Sequence, residues 1–380
     1  MKIVLYTTTS FVDQQFPLLK SLQQQGYDVF LFMQMSTYNK RENNIDIKQL
    51  IDENDIIPST RYHELDKYHE YMDFCHFYFI NQTNKKQVAL STQRLFRKFS
   101  KIIKKINPDI ILTTSTLGIA DFRLWKFRKK LRFIINDPFP HSGENGLRKT
   151  FFRNTCFRFG KSFVLLNQNQ VDKFSSTYHI DKSRIVISRL GTDDSMRFLA
   201  KDDKPLDKPT KSILFFGRIS PYKGIEYLCE AMKKVHESVP EAKLTIAGGG
   251  KMYLDFSKYA NLDYIKLVNR YIPTEELAHL LHSCDFTVCP YTDATQSGVI
   301  MTSYTMDKPV IATNVGGLST MVDEGKTGYL IPPKDIDALA NAMTTLLKDD
   351  SLLKSMSDII HKKYQEGESS WQQIAKDYLK

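Results

Sequence analysis

The chain has 380 residues, 42% of them hydrophobic and 25% charged, and a formal net charge of +10. That length exceeds one typical domain and predicts two, each burying its own core, and the composition is that of an ordinary globular protein. Five cysteines, Cys75, Cys156, Cys229, Cys284 and Cys289, lack paired or metal spacing, which points to reduced core residues in a cytoplasmic protein. The opening MKIVLYTTTSF is too short in its apolar run for a signal peptide, and no apolar stretch is long enough to cross a bilayer.

In chain order, Lys2–Thr7 predicts a strand, Phe16–Gln25 a helix closed by Gly26, and Tyr27–Met33 a second strand, together one βαβ unit. The first loop lacks the glycines of a dinucleotide fingerprint, so cofactor binding there is not expected. Residues 36–90 show no periodicity. Beyond them the charge turns basic: between Lys85 and Lys161 the only acids are Asp109, Asp121, Asp137 and Glu144. Arg94–Ile106 places Leu95, Phe96, Phe99, Ile102, Ile103 and Ile106 on one helical face and cations on the other. Two readings fit this segment, a helix on an anionic membrane surface and an amphipathic helix packed on the sheet. A second basic cluster runs from Trp125 to Arg132, followed by Arg148, Lys149, Arg153 and Arg158. No nucleic-acid-binding motif accompanies the charge, so nucleic acid is not an expected partner.

Pro108–Thr113 and Leu131–Ile135 read as strands, and the second runs into Asn136-Asp-Pro-Phe-Pro-His141. Asp137 and His141 then lie at the end of a strand, where sites in α/β sheets gather, although an aspartate before proline is also a common turn former. Ser162–Leu166 and Ile185–Arg189 are further strands, and the charged, proline-punctuated Lys201–Lys211 reads as an interdomain linker.

The second half alternates strand, loop and helix. Ile213–Phe216 is a short β-prone run, Gly217 permits a sharp exit, and IEYLCEAMKKV has helical spacing, so Arg218 and Lys223 fall between a strand end and a helix start. A planar guanidinium and a mobile ammonium at that place can neutralise a diphosphate. Lys243–Ala247 precedes the bare turn Gly248-Gly-Gly250, and Tyr264–Val268, Thr274–Ser283 and Phe286–Cys289 give strand, helix and strand. A helix opens near Ser297, so the backbone N–H groups of Ser297, Gly298 and Val299 face whatever precedes it, and an anion suits them best. Pro309–Thr313 is a strand, Gly325–Gly328 a turn, and Asp335–Leu347 and Ser370–Leu379 are helices. The paired acids Asp193-Asp194, Asp202-Asp203 and Asp349-Asp350 read as turn or linker residues, not metal ligands.

Gly217-Arg218 with Lys223-Gly224, the Gly248–Gly250 turn, Glu275-Glu-Leu277 with Cys284-Asp-Phe-Thr-Val-Cys-Pro290, and Lys308-Pro-Val-Ile-Ala-Thr313 with Gly316-Gly317 and Gly325-Lys-Thr-Gly328 occur in one order. Residues 210–345 thereby resemble the donor domain of family-four retaining glycosyltransferases, and Asn136–His141 is similar to a loop of some bacterial polysaccharide enzymes of that group. The resemblance implies a GT-B fold: residues 1–200 an acceptor-binding Rossmann-like domain, 201–211 a linker, 212–365 a donor-binding Rossmann-like domain across a cleft, and 366–380 a helix returning to the first domain. It implies a nucleotide-sugar donor whose diphosphate is held by Arg218 and Lys223 and capped at Ser297–Val299. Gly217, Gly248 and Gly249 would line the donor, and backbone near Tyr271 and Ile272 would meet the nucleobase. His141 would bind the sugar or orient the acceptor, and Asp137 would hold that loop or contact the acceptor. No metal or other cofactor is implied. The acceptor would be a hydroxyl, on a lipid-linked saccharide among other candidates, reached from the inner face of a membrane. Where the group usually has two glutamates eight positions apart, this chain has Ala294 and Thr302, so Asp293, Thr295 and Gln296 become the expected replacement contacts to the sugar and Thr302 a ribose contact. A sugar-nucleotide epimerase of the same fold and a non-catalytic, membrane-recruiting relative are the alternative readings.

Overall fold

The computed structural model describes residues 1–38, 45, 47, 49–114, 116–136, 138–139, 147–200, 210–294 and 297–380. They form two compact units, Met1–Gly191 with Trp371–Lys380, and Thr192–Ser370. The first unit opens with β1 (Lys2–Thr8), α1 (Val12–Gln24) and β2 (Asp28–Ser36). It continues through β3 (Ile56–Pro58), β4 (Phe77–Gln82), α2 (Leu90–Ile106), β5 (Ile110–Thr113), β6 (Leu131–Ile135), α3 (Leu147–Phe159), β7 (Ser162–Leu165), α4 (Val171–Tyr178) and β8 (Ile185–Ile187). The strand order is β3-β4-β2-β1-β5-β6-β7-β8, and only the β3–β4 pairing is antiparallel.

Two of these elements lie where the sequence shows no period. β4 runs parallel to β2, and Phe77, Phe79, Ile80, Asn81 and Gln82 are all buried. A strand covered on both faces has no alternation to read. Its polar side chains are tied to neighbouring elements: Asn81 Nδ2 donates to the Tyr62 hydroxyl at 2.9 Å, and Gln34 Nε2 donates to Gln82 Oε1 at 2.8 Å. α3 mixes aromatic and basic residues around its circumference and leaves Phe151 and Phe159 exposed.

α2 resolves the choice between lipid and core. Leu95, Phe96, Phe99 and Ile103 pack into the central cluster with Phe32, Ile111 and Phe133, so this apolar face belongs to the protein, and the cationic face, with Leu90 of the first turn, meets solvent. The membrane-lying reading of this helix through its apolar side is therefore corrected.

The second unit contains α5 (Asp194–Leu199), β9 (Ser212–Phe216), α6 (Ile225–Ser238), β10 (Lys243–Ala247), β11 (Ile265–Val268), α7 (Thr274–Ser283), β12 (Phe286–Cys289), α8 (Gly298–Thr305), β13 (Val310–Thr313), β14 (Gly328–Ile331), α9 (Ile336–Lys348) and α10 (Asp350–His361). All its strand pairings are parallel, in the order β11-β10-β9-β12-β13-β14. Met196 of α5 and Ala200 pack on Leu214, Phe216 and Leu281, which places α5 in this unit. Asp335 and Asp349 cap α9 and α10, accepting from the N–H groups of Ala338 and Leu352 at 2.9 Å each, and Asp350 pairs with Lys211 at 2.8 Å. Residues 201–209 of the expected linker lie outside the described residues.

The last helix, α11 (Trp371–Leu379), packs on α1 of the first unit and buries Trp371, Ile374, Ala375 and Tyr378. Ser21 Oγ donates to the Trp371 carbonyl at 3.0 Å, and Arg132 of β6 donates to the Tyr378 carbonyl at 2.5 Å. The Trp371 ring lies so close over Gly191 that a Cβ there would meet it at 2.3 Å. Among the described residues no helix is long and apolar enough to cross a membrane.

Candidate functional site

In the second sheet β9 lies between β10 and β12, so the chain leaves β9 toward one edge and later returns to its other side. Such a reversal opens a crevice outside the carboxyl ends of the strands, the general place for a ligand in an open α/β sheet. Here the carboxyl ends of β9, β10 and β12 carry Gly217-Arg218, Gly248-Gly249 and Pro290-Tyr291.

The first two turns lie backbone against backbone. Gly217 N–H donates to the Ala247 carbonyl at 3.0 Å and Ile219 N–H to the Gly249 carbonyl at 3.1 Å. Gly248 has φ +153°, and a Cβ on it would sit 1.9 Å from the Gly217 carbonyl oxygen, so this approach requires glycine. Beside them is a pocket of about 340 Å³ lined by Gly217, Arg218, Gly248, Gly249, Tyr271 and Ile272, together with Phe216 and Leu277 beneath. That volume lies within the range of small-molecule sites. Ile272 packs on the core while Tyr271 is 71% exposed at the rim. Arg270 holds this loop, making a two-point pair with Glu276 at 2.6 and 2.8 Å and donating to the Tyr271 carbonyl at 3.2 Å.

The two cations differ in environment. Arg218 is exposed and has no hydrogen bond or ion pair among the described residues. Lys223 is 8% exposed, and its Nζ rests 3.6 Å from the Tyr291 ring centroid and 5.0 Å from that of Tyr222, with no carboxylate partner among the described residues. Burial, with a smaller contribution from the charge of Arg218, pulls its pKa down to about 8. The turn that brings Lys223 there depends on Gly224, at φ +64°, where a Cβ would lie 2.0 Å from the Pro290 carbonyl oxygen. Thr292 N–H donates to the Tyr222 carbonyl at 2.8 Å and ties the same two loops together. Tyr291 is itself fixed: Thr313 Oγ1 donates to its carbonyl at 2.5 Å, and Ser297 Oγ donates to its hydroxyl at 3.4 Å.

α8 begins against this cation pair. Ser297 is its buried N-cap residue and makes no side-chain capping bond, so the first N–H groups of the helix have no intrahelical acceptor. Nothing lies within 4 Å of a Cβ built on Gly298, while one built on Gly217 would touch Val299 at 3.4 Å. The helix therefore opens onto the Gly217 turn with free space at its first residue. Thr302 sits one turn further, on the side of Gly298, half-buried and without a side-chain hydrogen bond among the described residues. Asp293 is exposed on the preceding loop.

The structure thus brings together Gly217, Arg218, Lys223, Gly248, Gly249, Tyr271, Ile272 and the start of α8. Asp137, His141, Thr295 and Gln296 lie outside the described residues. Tyr291 is the residue that sequence reasoning missed; its only signal is an aromatic ring directly after the β12 run. In the first unit the corresponding reversal lies between β1 and β5, where Thr7 and Thr114 share a hydroxyl contact at 2.6 Å. Below it the buried Asp121 accepts from Tyr6 Oη at 2.8 Å and Gly118 N–H at 2.6 Å, and burial raises its carboxyl pKa. Among the described residues no three His, Cys, Asp or Glu side chains converge as a metal set.

Residues 210–349 match the family described as glycosyl transferases group 1. The alpha-D-kanosaminyltransferase of Streptomyces kanamyceticus is 26% identical over 160 residues, 41% of this chain and 40% of that protein. An uncharacterized glycosyltransferase of Methanocaldococcus jannaschii is 31% identical over 174 residues, 44% of this chain and 43% of its own length. These matches span less than half of either relative. Among solved structures, Anabaena HepE in complex with UDP superposes over 100% of this chain and 99% of its own, with a TM-score of 0.65 at 15% identity. That likeness shows the fold, which is GT-B.

Proposed function

Since residues 210–349 are a glycosyl transferases group 1 domain on a GT-B fold, we propose that the chain transfers a sugar, with retention, from a nucleoside-diphosphate sugar to an acceptor hydroxyl. The observation that carries this reading is Lys223, a buried ammonium with no carboxylate partner among the described residues, beside the unpaired Arg218 and the free start of α8. An uncompensated buried cation is unfavourable in the empty protein and is relieved by an anion. Two cations and a helix terminus match a diphosphate in charge and in donor count.

In this reading the donor's anomeric carbon–oxygen bond breaks as negative charge grows on the departing diphosphate. Arg218, Lys223 and the N–H groups of Ser297, Gly298 and Val299 stabilise that charge, the kind of contribution that usually dominates such steps. The acceptor hydroxyl adds to the same face of the sugar, and its proton passes to the departing phosphate oxygen. Charge neutralisation is assigned to these groups rather than to a metal ion. The 340 Å³ pocket under Tyr271 takes the nucleobase, Thr302, Asp293, Thr295 and Gln296 reach the ribose and sugar, and Asp137 and His141 serve the acceptor. The acceptor is read as a saccharide on a lipid carrier, with the basic first unit drawn to an anionic membrane surface in the synthesis of a cell-surface polysaccharide.

A thermal-shift panel of UDP-, GDP-, ADP- and dTDP-sugars, with and without magnesium, tests this. One donor is expected to raise the midpoint without metal, and Arg218→Ala to diminish the rise. No shift from any donor would overturn the transferase reading in favour of a non-catalytic relative.

A further inference from the structure

We propose that a pocket at the amino edge of the first sheet, formed by Arg128, Lys129, Arg158, Lys161 and Arg184, seats the phosphate headgroups of an anionic membrane. The proposal deepens the membrane reading above by naming the residues and the chemistry of attachment. β6, β7 and β8 are adjacent and parallel, so the segments that lead into them meet at one edge. Arg128 and Lys129 precede β6, Arg158 and Lys161 precede β7, and Arg184 precedes β8. Together they line a pocket of about 380 Å³. It opens at the edge opposite the carboxyl ends of the strands, where donor and acceptor sites form in such sheets.

The five side chains make no ion pair or hydrogen bond among the described residues. Two guanidiniums are held by rings instead: Arg158 lies 5.6 Å from the Phe159 centroid and Arg184 5.4 Å from that of Phe163. Ring contacts use the faces of the guanidiniums and none of their N–H donors, which suit phosphate oxygens in two-point contacts. Of the neighbouring acids, Asp172 pairs with Lys182 at 2.7 Å, and Asp181 accepts from Ser183 N–H at 2.8 Å and feels the charge of Arg184 without an ion pair to it among the described residues.

The apolar rim selects lipid over a soluble phosphate. Phe151, Asn154, Thr155, Arg158 and Phe159 recur at helical spacing on the outer side of α3, and Phe151 and Phe159 are 65% and 61% exposed. Exposed aromatic rings beside cations suit the boundary between headgroups and acyl chains, and a phosphate in water gains nothing from them. α2, by contrast, sets its cations beside one exposed large apolar side chain, Leu90 in its first turn, and its aromatic residues Phe96 and Phe99 are both buried.

The test is flotation of the full chain with vesicles of phosphatidylcholine, alone or mixed with phosphatidic acid. The wild type is expected to float only with phosphatidic acid. Arg158→Gln with Lys161→Gln should weaken binding roughly thirty-fold, at about 1 kcal/mol per cation and tenfold per 1.4 kcal/mol. Lys101→Gln with Lys104→Gln on α2, which removes the same charge, should change it less than about threefold if α2 lies off the surface. Phe159→Ser should weaken it about tenfold at constant charge. Absence of flotation, or equal losses from the α2 and pocket variants, would overturn the proposal. So would thermal stabilisation by inorganic phosphate that depends on Arg158 and Lys161 while vesicles stay unbound, which would assign the pocket to a soluble anion. The nucleotide-sugar thermal shift, measured on the same variants, should equal that of the wild type. It separates failure of the docking surface from failure of the transferase reading.

Discussion

Replacing Lys223 with methionine should stabilise the ligand-free protein while removing its affinity for a nucleoside diphosphate. The side chains are similar in length, so packing over Tyr291 is largely kept and the charge alone is lost. Burial lowers the lysine pKa from 10.5 to about 8, which at 1.36 kcal/mol per pH unit corresponds to roughly 3 kcal/mol of unfavourable charge burial at neutral pH. The cation–π contact with Tyr291 at 3.6 Å offsets about 1 kcal/mol of this. A net gain of about 2 kcal/mol remains, worth roughly 4–8 °C in the melting of a unit of this size. The sign of the pH dependence follows from the same shift. Between about pH 8 and 10.5 the unfolded chain retains the proton that the folded chain has released, so wild-type stability rises with pH and the advantage of the variant shrinks to nothing. Calorimetric melting of both proteins at pH 7 and pH 10, without ligand, checks this. A variant that melts at or below the wild type at pH 7, or an advantage that persists unchanged at pH 10, would refute the claim that the site holds an uncompensated charge.

Binding of a nucleoside diphosphate to the wild type should take up a proton at pH 9 and weaken by up to tenfold per pH unit above 8, because the anion needs the ammonium form; calorimetry in buffers of different ionisation enthalpy reads the uptake. Arg218→Ala should lower kcat more than it raises KM, by on the order of a hundredfold, and an unchanged kcat would remove its role in the transition state. Thr302→Glu places a carboxylate at the half-buried position beside the start of α8 and should tighten nucleotide-sugar binding about tenfold through a charge-assisted hydrogen bond to the ribose, read by titration calorimetry. Gly191→Ala drives a methyl group into the Trp371 ring, so α11 should loosen from α1, seen as a red shift of tryptophan emission and earlier cleavage of residues 371–380 by protease.

The second unit was more legible in the sequence than the first. β9, β10, β12 and β13 are short apolar runs bounded by Gly, Pro or Asn, and β9 leads through a glycine turn into the periodic helix α6, so local signals and final structure agree. In the first unit β4 hides because both its faces are buried, and α3 because its aromatic and basic residues share every side of the helix. α2 displays a strong amphipathic pattern, yet a pattern records only that an apolar face needs cover. The choice between protein core and lipid was made by Phe32, Ile111 and Phe133, remote in sequence. The candidate site divides in the same way. Arg218 and Lys223 are readable as cations at a strand end, but nothing local distinguishes the exposed guanidinium from the buried ammonium. That difference comes from Tyr291, which reaches Lys223 only because β12 pairs with β9 across a reversal of the sheet. The exposed aromatic rim of α3 likewise emerges only when the core has chosen which phenylalanines to take.

The most direct test is a crystal structure of the protein grown with a nucleoside diphosphate in the absence of divalent metal. The diphosphate is expected between the Arg218 guanidinium, the Lys223 ammonium and the N–H groups that open α8, with the base in the pocket under Tyr271. A diphosphate bound away from Lys223, or an empty site at saturating ligand, would contradict the assignment of this cation pair as the donor site.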